Sequence, residues 1–158
     1  MKKVLDFIAK VCELLVISLG IALILIVLLQ IFGRVLGNAV SWTEELSRYI
    51  LAGIVAFAAP LAARRGLYIR VDILLNRFPR KAQKIWLMVL DAIVAVFLIL
   101  VAYHAYSLVG VGALQKSSVL RIPMSWLYMT VLIGPALTAL FFLEKAVNGF
   151  REVLRGKT

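Results

Sequence analysis

Leu14 to Gly33 is a run of twenty residues without one charged side chain. At about 1.5 Å of rise per residue, a helix of that length matches the roughly 30 Å hydrocarbon core of a bilayer. Three more uncharged runs follow, Tyr49 to Ala63, Ala92 to Gln115 and Ile122 to Leu143, so most of the 158 residues lie in apolar stretches. A composition of 63% hydrophobic against 16% charged residues leaves too little polar surface for a water-soluble fold. The fold class is therefore all-α, a polytopic membrane protein with four transmembrane helices in a single integral membrane domain, 1–158. The spans are expected at about 12–33, 45–63, 86–114 and 122–143, with a basic loop at 64–85. The first run continues past the length of a signal-peptide core to Arg34, so it reads as a retained helix.

Local signals sharpen the helix ends. Ser41 and Glu44 have capping-box spacing, which predicts a helix from Trp42. Along it Ala52, Ala56, Ala59 and Ala63 share one face, where small side chains let a second helix approach. Pro60 deprives the Ala56 carbonyl of its helical donor and should bend the end of this span. Pro79 suits the first position of the third helix, Pro123 opens the fourth, and Gly134 with Pro135 should kink it. In the basic loop Val71, Leu74, Leu75 and Phe78 fall at i, i+3, i+4 and i+7, which predicts a short amphipathic helix in the headgroup layer. The tail, with Phe150, Val153 and Leu154 among cations, should also lie along the surface.

The chain carries 18 Lys and Arg against 8 Asp and Glu, a net charge of +10. Such an excess often marks a nucleic-acid partner. Here fourteen of the cations fall in the N-terminal segment, the loop around Arg64 to Lys84 and the tail, while only Arg34, Arg48, Lys116 and Arg121 occupy the other two connections. The positive-inside rule then places both termini and the middle loop in the cytoplasm, N-in and C-in, and assigns the charge to topology and anionic lipid rather than nucleic acid.

Few groups could carry chemistry. Cys12 is the lone cysteine and His104 the lone histidine, so neither a disulfide nor a Cys/His metal cluster can form within the chain. No nucleophile has a base beside it, which argues against an enzyme, and no cofactor or substrate site is expected. Glu13 and Asp91 sit toward the cytoplasmic ends of their spans and read as structural ion-pair partners of neighbours such as Lys84, Arg64 and Arg65. Asp72 in the loop should pair with a nearby Arg. His104 reads as a neutral helix-contact residue.

The densest polar cluster, Trp42, Glu44, Glu45 and Arg48, opens the second span. Glu44 and Arg48 are spaced for an intrahelical pair, which leaves Glu45 on an adjacent face to meet another protein. Arg121 and Trp126 join these as candidate partner-interface residues on the outer connections.

These residues resemble a known family, the small DctQ-type membrane subunit of tripartite ATP-independent periplasmic (TRAP) transporters. The resemblance rests on Trp42-x-Glu44-Glu45-x-x-Arg48, then Arg64-x-Gly66, Ile69-x-Val71-Asp72 and Pro79, and last Ser117 to Tyr128 with Ile122-Pro123 and Trp126-x-Tyr128. It covers nearly the whole chain. Tyr68 departs from the pattern, since the family often has His before the Ile, so no imidazole role carries over. The resemblance implies a scaffold subunit in a bacterial or archaeal cytoplasmic membrane. It would support a large elevator-type membrane subunit that holds the substrate and sodium sites, help dock a periplasmic substrate-binding protein, and serve uptake of organic acids. The alternative is a self-contained four-helix, proton-coupled exporter, for which Glu13 lies too near the cytoplasmic edge.

Overall fold

The computed structural model describes residues 2–37, 41–68 and 80–154. They form α1 (Lys2–Val35), α2 (Ser41–Arg65), α3 (Arg80–Leu114) and α4 (Ser125–Leu154). All four are long and apolar enough to cross a membrane, as the apolar runs predict. The short amphipathic helix expected around Val71 to Phe78, and Asp72 with it, lies outside the described residues. The tail differs from expectation: it continues α4 without a break through Phe150 to Leu154 rather than forming a separate segment. Ile122 and Pro123 also fall outside α4. Their backbone is taken up by an antiparallel bridge between Lys116 and Pro123, so the helix starts only at Ser125.

Packing follows the order α1, α2, α4, α3, with α1 and α3 at the two edges. α1 runs antiparallel to α2 and α3 antiparallel to α4, while α2 and α4 run parallel, so one end, here called proximal, gathers the start of α1, the end of α2, the start of α3 and the end of α4. The opposite, distal end carries the 115–124 loop. At the proximal half Ala9, Ala63, Ala95, Phe141 and Phe142, one or two from each helix, form the core cluster. Alanine dominates the buried set because helices in lipid gain by close backbone approach rather than by hiding apolar surface from water. Gly134 is the clearest case: a Cβ there would lie 3.0 Å from the Ala56 Cα, so α4 crosses α2 with backbone nearly against backbone. The partner is also where Pro60 leaves the α2 ladder a donor short, although α2 and α4 remain helical through Pro60 and Pro135.

A row of helices, unlike a closed bundle, leaves broad faces open. On α1, Ile17, Ile21, Ile24 and Leu28 form an exposed stripe at helical spacing. Between α2 and α3, with α4 as its floor, runs an apolar groove of about 1270 Å³ that starts near Arg48 and ends near Tyr68 and Trp86.

Candidate functional site

Two polar clusters hold the ends of the layer. At the proximal end, α2 finishes in a Schellman turn. Gly66 takes φ +69, its N–H donates to the Ala63 carbonyl at 3.3 Å, and the Leu67 N–H donates to the Ala62 carbonyl at 3.0 Å. Glycine is favoured there because a Cβ strains the left-handed backbone. This explains the Arg64-x-Gly66 element in local terms: the turn fixes where the two preceding cations emerge.

Arg64 reaches Asp6 of α1 and lies 3.7 Å from Glu144 of α4. Its guanidinium also sits 5.4 Å from the centroid of the Phe141 ring. Arg65 donates to Glu13 at 2.6 Å. Lys145 of α4 hydrogen-bonds the Ala63 carbonyl, one of the end carbonyls of α2. The Tyr68 hydroxyl donates to the Ala59 carbonyl at 3.0 Å, and its ring packs 5.5 Å from that of Phe142. Burial pushes the Tyr68 hydroxyl above the usual phenol range, so it serves as a neutral donor.

The expected pairing of Glu13 with Arg65 is thus present, whereas Asp6 and Glu144 were not singled out from the sequence. Nothing in sequence spacing points from residue 64 to residue 144. Lys84 and Asp91 are each engaged within the fold, and Asp91 borders the apolar groove. Cys12 is 2% exposed, in keeping with a small apolar role.

At the distal end the 115–124 loop is a tight hairpin. The Ser117 N–H donates to the Ile122 carbonyl and the Met124 N–H to the Gln115 carbonyl, each at 2.9 Å. Its turn requires φ +53 at Arg121, a left-handed backbone that costs a non-glycine residue about 1 kcal/mol. The Glu45 carboxylate offsets that strain by accepting the N–H groups of Val119 at 3.2 Å and Leu120 at 2.8 Å. Two consecutive donors converge on one oxygen, an anion-holding arrangement of the backbone.

Glu45 is therefore engaged inside the chain, and the expectation that it is left over for another protein needs correcting. What it presents is the loop, with an exposed Arg121 at its edge. Glu44 and Arg48 form the expected pair at 2.6 Å, with side chains 61% and 74% exposed, worth about 0.3 kcal/mol. Trp42 and Trp126 are 41% and 64% exposed on the same end, as interfacial anchors would be. Beneath them Gly112 of α3 lies against Ser125 and the Tyr128 ring, which closes the space between α3 and α4. Neither cluster is a catalytic constellation. Among the described residues no three His, Cys, Asp or Glu side chains come together where they could hold a metal ion.

Comparison with known proteins agrees with this picture. Residues 23–152 match the family described as tripartite ATP-independent periplasmic transporters, DctQ component. A Haemophilus influenzae protein named as a TRAP transporter small permease is 25% identical over 154 residues, covering 95% of this chain and 92% of its own length. A second such protein from the same organism is 22% identical over 158 residues, covering 99% and 98%. An Oleidesulfovibrio alaskensis protein named isethionate TRAP transporter permease DctMQ is 28% identical over 140 residues, which are 83% of this chain but 22% of that longer protein.

Proposed function

The chain belongs to the DctQ component family of tripartite ATP-independent periplasmic transporters, and from that premise we propose that it is a fixed scaffold which carries no cargo. It is a small membrane subunit, and its partner is the large membrane subunit of the same transporter. On this reading the large subunit holds the substrate and couples its movement to sodium. The four-helix layer widens the stationary part against which the moving part slides. The proximal end, with both termini, faces the cytoplasm of a bacterial or archaeal inner membrane. Cations of the connection between α2 and α3 meet anionic lipid there. The distal loop, with Arg121, Trp42 and Trp126, then faces the periplasm, where it contributes to the docking surface for the substrate-binding protein.

The observation that supports a scaffold is the open row of helices. In the most apolar window of α1 no residue is buried within the chain, and in that of α3 only 6% are. Among the described residues a layer so exposed encloses no polar path from end to end, and it offers wide apolar faces to another subunit.

Reconstitution tests this. Liposomes holding the chain alone should take up none of labelled succinate, sialic acid or isethionate, whereas addition of the large subunit, a binding protein and a sodium gradient should restore uptake of one organic acid. Flux through the chain alone would overturn the scaffold and favour the small exporter. A phosphatase fused after Thr158 should be inactive, and activity would overturn the orientation.

A further inference from the structure

The charged side chains of the distal connections are the cations Arg34, Arg48, Lys116 and Arg121 and the acids Glu44 and Glu45. Both acids are engaged within the chain. Glu44 pairs with Arg48, and Glu45 accepts the Val119 and Leu120 amides. Among the described residues Arg34, Lys116 and Arg121 make no ion pair, and all three are exposed. On the orientation proposed above they work against topology, since the positive-inside rule favours basic residues on the other side.

Lys116 and Arg121 share one hairpin, and its backbone is fixed from three directions. Lys116 bridges to Pro123 across the two arms. Arg121 closes the turn at φ +53, and Glu45 holds the amides just before it. The Trp126 N–H donates to the Pro123 carbonyl at 3.3 Å, which ties the hairpin to the start of α4. An anionic lipid surface attracts basic segments by charge count whatever their shape, so it requires no such frame. A protein interface built on a few charge pairs does gain from it, because rigid presentation lowers the ordering cost of binding. The adjoining Trp126 ring is 64% exposed, and Trp and Arg are the side chains on which interface energy concentrates.

We infer that this hairpin is a cationic docking point for carboxylates on the soluble substrate-binding protein. Lys116 and Arg121 are the pairing groups, Trp126 is the neighbouring apolar contact, and Glu45 is the residue that positions them. The inference rests on the subunit reading and sharpens it, because it makes the contact electrostatic and confines it to the loop between α3 and α4. Arg34 ends α1, at the opposite edge of the row, and lies outside the docking point. Charge then steers the approach of the binding protein, and added salt weakens it.

The test uses the two-subunit transporter in liposomes under a fixed sodium gradient, titrated with its binding protein, and reads the binding-protein concentration that gives half-maximal uptake. Variants are compared at equal amounts of recovered complex. Lys116→Glu combined with Arg121→Glu should raise that concentration at least tenfold, and the milder Lys116→Gln with Arg121→Gln about threefold. Choline chloride should raise it for the unaltered protein and have less effect on either double variant. Glu45→Ala should raise it about threefold and keep the salt dependence, since both cations remain. A half-saturating concentration unchanged in both double variants, or raised as much by Arg34→Glu as by the charge reversal on the hairpin, would overturn the docking assignment while the subunit reading stands. Uptake by this chain without its large subunit would overturn the subunit reading itself.

Discussion

The Glu45 carboxylate accepts the backbone N–H of Leu120 at 2.8 Å, a contact that joins the first turn of α2 to the hairpin between α3 and α4, 75 residues away. It ties the strained turn at Arg121 to a helix and so sets the shape of the distal surface. Removing the carboxylate should release the turn without disturbing the spans. In Glu45→Ala, the amides of Val119 and Leu120 should exchange with solvent at least tenfold faster, with membrane insertion unchanged, and Glu45→Gln should fall between because one amide oxygen can still accept. Hydrogen exchange followed by mass spectrometry reads this directly. Unchanged protection of those amides in Glu45→Ala would mean that the hairpin holds itself.

Two glycines should respond differently from a third. A Cβ at Gly134 would press on the Ala56 backbone at 3.0 Å, and one at Gly112 would meet the Ser125 nitrogen at 2.9 Å and the Tyr128 ring. Overpacking of this kind costs about 1–3 kcal/mol. Gly110 has nothing within 4 Å of its Cβ position, and alanine there also improves helix propensity. Thermal denaturation in detergent should rank Gly110→Ala at or above the unaltered protein, with Gly112→Ala and Gly134→Ala below it. Equal midpoints for all three variants would contradict the close helix crossings.

The two adjacent arginines are also unequal. The Arg64 and Glu144 side chains are 23% and 20% exposed, whereas Arg65 and Glu13 are 50% and 43% exposed. Arg64→Met leaves a partly buried carboxylate without its cation and should destabilise by about 3 kcal/mol. Arg65→Met breaks a solvated pair and should cost about 0.5 kcal/mol. Restoring balance with Glu144→Gln should recover much of the Arg64→Met loss, and a double-mutant cycle on chemical denaturation measures the coupling. Additive effects at residues 64 and 144 would show that the pair does not stabilise the proximal end.

How much of this could be read in the sequence differs from residue to residue. The spans follow from run length alone, since a helix of twenty uncharged residues has few other places to go. The Glu44 and Arg48 pair and the pairing of Glu13 with the Arg64–Arg65 dipeptide were legible because they depend on helical spacing or on shared depth in the membrane. The engagement of Glu45 was not. Its partners are main-chain donors, and every residue but proline carries one, so no side-chain pattern announces them. The hairpin that removes Ile122 and Pro123 from α4 was hidden for the same reason, as was the order in which the helices lie.

The amino-acid sequence by itself determined that the chain crosses a bilayer on four helices, because hydration cost acts residue by residue and needs no knowledge of neighbours. Its family was also legible, through motifs that each lie within a dozen residues. Only the tertiary structure decided that α1 and α3 sit at opposite edges, that Glu45 holds the amides of the 115–124 loop, and that His104 is exposed on α3. Those depend on which helix faces meet. In lipid that choice is made by close fit among small residues and a few hydrogen bonds, whose partners lie far apart along the chain.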